Sequence, residues 1–209
     1  MSVFSHKEYK RFLRLQETAN RLLEKDPSLG VTALIMANDI LSAETADALR
    51  KKVPFEQALW LVGSYSRLDW AVKKVQLGLI PQEALLKLLP DIWRGSDPDD
   101  TDARFLSLWE EAWKQNAQQV ICDDKHLPKG KMLTVYRGQD EDAPLGIAWT
   151  LRIIIAQRFA RGAALRQSNR EGIILKAKIE RNRIMGYLTG RNEFEVILNP
   201  THLTKIYKI

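Results

Sequence analysis

A chain of 209 residues, 45% hydrophobic and 28% charged, has a globular composition and room for one or two domains of ~100 residues. Its apolar runs are broken by charge well short of the ~18 residues a membrane helix needs, and the start, MSVFSHKEYKRF, lacks the apolar stretch of a signal peptide. The net charge is +6, but residues 1–130 carry 18 basic and 19 acidic side chains while residues 131–209 carry 14 and 7, so the excess (+7) lies wholly in the last part. Two units with different tasks are expected. A single cysteine, Cys122, excludes an intrachain disulfide, and His6, His126 and His202 are too scattered for a zinc site. No metal is expected, and a reducing cytoplasm is the expected compartment. Neither GxxxxGK[ST] nor GxGxxG occurs.

Residues 1–127 read as successive helices. Ser5 and Glu8 form a capping-box pattern. Phe12, Leu15, Ala19, Leu22 and Leu23 follow at helical spacing, up to a stop near Asp26-Pro27. Further helices are expected over 31–40 and 43–51. Pro54 then opens a longer one with Phe55, Leu59, Val62, Leu68 and Val72 on one face. Pro81 starts a helix over 83–89, residues 95–100 read as a loop, and a last helix covers 102–120 around Phe105, Leu108, Trp109 and Ala112. After His126-Leu127-Pro128-Lys129-Gly130 the pattern turns to short β-rich runs: 133–136, 172–179, 184–188, 194–198 and 203–207. One helix, over 151–161 with Thr150 as its N-cap, interrupts them. The predicted fold class is α+β: a helical bundle over 1–127, then a small β-rich unit with one central helix over 128–209. Seventy-nine residues (131–209) make a thin core, so the helical half is expected to pack on it.

Three segments of the β-rich part carry candidate chemistry. Val135-Tyr136-Arg137-Gly138 ends an apolar strand on an arginine, which needs an anionic partner if buried: a ligand, or a neighbouring acid at a strand edge. Gly146-Ile147-Ala148-Trp149-Thr150 runs from strand into helix, which is either ordinary punctuation or a helix N-terminus able to support phosphates. Glu193-Phe194-Glu195-Val196-Ile197-Leu198 opens a strand with two carboxylates at i and i+2. On an extended strand they point the same way, as a solvated pair or as a catalytic one.

In this order the segments resemble the mono-ADP-ribosyltransferase superfamily of the Arg–Ser–Glu type, most of all its small bacteriophage-encoded members. The matching residues are Tyr136-Arg137-Gly138, then Ala148-Trp149-Thr150 with Ala156 and Phe159 in the following helix, then Glu193-Phe194-Glu195. The resemblance spans about residues 131–209 and departs at Ala148 and Trp149, where the family carries Ser and Thr. It implies an enzyme that takes NAD as substrate, in the cytoplasm of a bacterial host. Glu195 would then stabilise positive charge on the ribose as nicotinamide leaves, and Glu193 would orient or deprotonate the acceptor. Arg137 and Gly138 would hold the dinucleotide, with Thr150 beside it. Trp149 and Phe159 would wall the nicotinamide pocket, unless they are core. Arg166, with Arg170, would face the phosphates from the loop 162–171, and Tyr187 or Arg191 would read the acceptor. A host protein arginine is the expected partner. Water as acceptor (an NAD glycohydrolase) and an inactive, basic nucleic-acid-binding protein are the alternatives.

Overall fold

The computed structural model describes residues 55–64, 66–96, 98–122, 127–161 and 172–209, with Arg14, Glu17 and Arg21 near the start. The helices expected over 31–40 and 43–51 lie outside these residues. Of the one expected before Asp26, only those three positions are described, as helical and exposed. The chain divides into two compact units, Met1–Leu85 with Gly95–Pro98, and Leu86–Arg94 with Asp99–Ile209.

In the first unit the long helix expected after Pro54 is two helices, α1 (Phe55–Leu59) and α2 (Arg67–Gln76). Gly63 and the serines near it are poor helix formers, and the break leaves carbonyls without the i+4 amides of a continuous helix. Arg67 answers one of them, its Nη2 donating to the Val62 carbonyl at 2.9 Å. Phe55 stacks on Trp70 with ring centroids 5.9 Å apart. The next helix, α3 (Gln82–Arg94), was expected to end at 89 but runs through Pro90. An interior proline costs roughly 3 kcal/mol. Leu85, Leu86, Leu89, Ile92 and Trp93 offset that cost, forming a buried stripe at spacings of three and four.

The second unit is an α+β structure, and it begins before the change of composition at 127–130. It takes in α3 from Leu86 onward and α4 (Ala103–Gln115). Asp102 caps α4, accepting from the Arg104 amide at 2.8 Å; the Arg104 side-chain hydrogen bond holds its carboxyl below the usual range. Left-handed Ala117 and Gln118 end this helix short of the expected 120. The strands are β1 (Ile121–Cys122), β2 (Met132–Gln139), β3 (Ala148–Thr150), β4 (Ile173–Glu180), β5 (Ile184–Leu188), β6 (Glu195–Leu198) and β7 (Thr204–Lys208). They form one sheet in the order β1-β5-β6-β3-β2-β4-β7. The pair β1/β5 is parallel, and the other neighbours are antiparallel. The one strand without a counterpart in the sequence reading is β1, whose two residues are too few to show a period.

One sheet face carries Leu133, Val135, Trp149, Ala177, Ile179, Val196 and Leu198, all buried in a single cluster. On the other face α5 (Ile153–Ala160) lies over β2, β3 and β4, and α4 lies over β5. Gly138 makes the first of these contacts possible. A Cβ there would sit 1.9 Å from the Ala156 carbonyl oxygen and 2.5 Å from the Ala160 nitrogen. Both are backbone atoms of α5, so the whole helix would have to move. Gly138→Ala is therefore expected to destabilise the unit by about 1–3 kcal/mol, read as a lower denaturant midpoint.

Candidate active site

The three segments meet on neighbouring strands, β2, β3 and β6. Thr150 lies opposite Tyr136 on β2 and opposite Glu195 on β6. Cross-strand partners share a face, so these three lie on the side covered by α4 and α5. Arg137, one residue on, falls on the opposite face with Val135 and Trp149.

Glu195 is the first residue of β6 and is partly buried. Its Oε1 accepts a hydrogen bond from the indole Nε1 of Trp93 at 3.0 Å. Trp93, 2% exposed, is clamped edge-on by Phe105 and Trp109, with centroids at 6.2 and 5.8 Å.

The two glutamates do not share one extended strand, contrary to the expectation from their spacing. Glu193 follows the turn Gly190–Asn192 with helical angles (φ -87°, ψ -19°), and Phe194 has φ 50°. A left-handed phenylalanine costs about 1–2 kcal/mol. Three contacts hold it. Thr150 Oγ1 donates to the Glu193 carbonyl at 2.7 Å. The Leu151 amide donates to the Phe194 carbonyl at 3.2 Å. The Arg152 guanidinium lies 3.4 Å from the Phe194 ring centroid. Thr150 is thus not the N-cap of α5. That position is Arg152, whose amide donates to Thr150 Oγ1 at 3.2 Å. One hydroxyl, buried between β3 and the turn, orders both the Glu-x-Glu segment and the helix start.

Arg137 has its anionic partner inside the unit. Nη1 reaches Asp100 Oδ2 at 2.5 Å and Nη2 reaches Oδ1 at 3.1 Å, a bidentate pair with side chains 12% and 19% exposed. Nη1 also donates to the Ala148 carbonyl at 2.7 Å and Nε to Gln139 Oε1 at 2.7 Å. Asp100 in turn accepts from the Ala148 amide at 3.0 Å, so the pair ties β2, β3 and the turn before α4 together.

The other expected site residues are distributed as follows. Gly138 faces the backbone of α5. Trp149 is 2% exposed in the core cluster, its Nε1 donating to the Gly146 carbonyl at 3.1 Å, so it lies on the face away from Glu195. Phe159 is 42% exposed on α5. Tyr187 is buried in the core, which takes it out of contact with an acceptor. Arg166 and Arg170 lie outside the described residues, and Arg191 is in the turn before Glu193.

Trp93 and Asp100 are the site residues that sequence reasoning passed over. The stripe Leu85, Leu86, Leu89, Ile92, Trp93 was a signal for the first, cut off where the expected helix ended at 89. For Asp100 the only signal was the rule that a buried guanidinium requires an acid. Among the described residues no group of three His, Cys, Asp or Glu could hold a metal ion, and no helix is long and apolar enough to cross a membrane. Compared with protein-family models, curated proteins and solved structures, the chain matches none.

Proposed function

We propose that the protein is an NAD-dependent mono-ADP-ribosyltransferase that modifies a host macromolecule, with arginine on a protein as the acceptor. The observation that supports this reading is the meeting of β2, β3 and β6, with Thr150 opposite Glu195 on one face and Arg137, one row on, on the other face. In the reaction the bond between ribose C1 and the nicotinamide nitrogen breaks, and nicotinamide leaves with the bonding pair. The sugar carbon then bonds to an acceptor guanidine nitrogen, which gives up a proton. Glu195, ionised, accepts from the ribose 2′-hydroxyl and stabilises the developing positive charge. Glu193 orients the incoming guanidinium and takes its proton. Thr150 holds Glu193 by its carbonyl. Arg137 serves the site by bracing β3 through Asp100, and Phe159 and Arg166 are the side chains proposed to meet the nicotinamide and the phosphates.

The test is incubation of the protein with NAD labelled in the adenylate part and a bacterial lysate. Label is expected in nuclease-resistant protein, and mass spectrometry is expected to find ADP-ribose on arginine. Nuclease-sensitive label would move the acceptor to nucleic acid. Nicotinamide release without label would make water the acceptor. With neither release nor label, the reading falls.

A further inference from the structure

We infer that Trp93 is a positioning residue for Glu195, supplying from α3 the proton that orients the catalytic carboxylate. This rests on the transferase reading above. Trp93 approaches from outside the sheet, with Nε1 3.0 Å from Oε1. An indole N–H only donates, so it cannot turn round and accept. Its ring is 2% exposed and clamped edge-on by Phe105 and Trp109, so its direction is fixed before substrate arrives. A donor held on Oε1 helps to fix the plane in which the carboxylate meets a ribose hydroxyl. Such preorganised geometry acts on the transition state more than on substrate binding.

Trp93→Phe keeps an aromatic ring against Phe105 and Trp109 and removes only the donor. The expected result is a roughly ten-fold lower kcat for nicotinamide release, with KM for NAD within about two-fold. A merely structural role would leave kcat unchanged in the folded variant, and that outcome overturns the proposal. A second measurement does not depend on the variant folding. In the nitrogen–proton spectrum of the indole groups, the Trp93 signal is expected to move in Glu195→Gln while those of the other tryptophans stay. An unmoved Trp93 signal overturns the proposal even if the enzyme is active. If the wild-type protein neither cleaves nor transfers NAD, the transferase reading fails first. A Trp93 signal that still moves would then mark a structural hydrogen bond, and the positioning role would fall with that reading.

Discussion

Glu195→Gln is expected to cut nicotinamide release by at least ~100-fold while the melting temperature stays within about 2 °C of the wild type. The substitution keeps the shape of the side chain and keeps an oxygen that can accept from Trp93 Nε1. What it removes is the negative charge. Glycosidic cleavage develops positive charge on a sugar carbon, and a neutral amide at a ribose hydroxyl stabilises it far less than a carboxylate in a partly desolvated site. The partly buried start of β6 is such a site. The loss should appear in kcat, with KM for NAD little changed, because the interaction strengthens in the transition state. Equal rates for the two folded proteins would remove Glu195 from the chemistry.

The parts of this site that were legible in the sequence are those set by a short period. Alternation marks β2, where Leu133, Val135 and Gln139 are buried and Met132 is exposed, and short β-rich runs between turn residues located five of the seven strands of the sheet. The Arg, Thr and Glu segments lie side by side in the sheet although α5, β4 and β5 separate the last two along the chain. What alternation could not give was Phe194. Its left-handed φ shifts Glu193 out of the strand, and the cause lies in hydrogen bonds from Thr150 and Leu151, residues 43 positions away in both cases. Rules of local propensity also misplaced both ends of α3's neighbourhood, by carrying a helix across Gly63 and stopping one at Pro90. In each case tertiary contacts decided: the Arg67 side chain at the break, and five buried apolar residues on either side of the proline. Trp93 and Asp100 act on partners 102 and 37 residues away, distances at which a single sequence carries no periodic signal.

Asp100→Ala is expected to be the most damaging of the stability variants, at about 3 kcal/mol and roughly 10 °C in melting temperature. The carboxylate compensates the Arg137 guanidinium and also accepts from the Ala148 amide at 3.0 Å, so its loss orphans a charge and a backbone donor together. Arg137→Leu, made in the Asp100→Ala background, should recover part of that loss, because it removes the charge that was left unpaired. A double-mutant cycle of thermal or denaturant melts measures the coupling, and additive losses would show that the two side chains do not act as a pair. The same four proteins separate structure from substrate binding. Well below the melting point, Asp100→Ala leaves the guanidinium free to meet a dinucleotide, whereas Arg137→Leu leaves none. If Arg137 touches NAD directly, KM rises with loss of the arginine and not with loss of its partner. If its contribution is to brace β3 against the turn before α4, both substitutions lower kcat alike, because either one loosens the strand that holds Thr150 opposite Glu195.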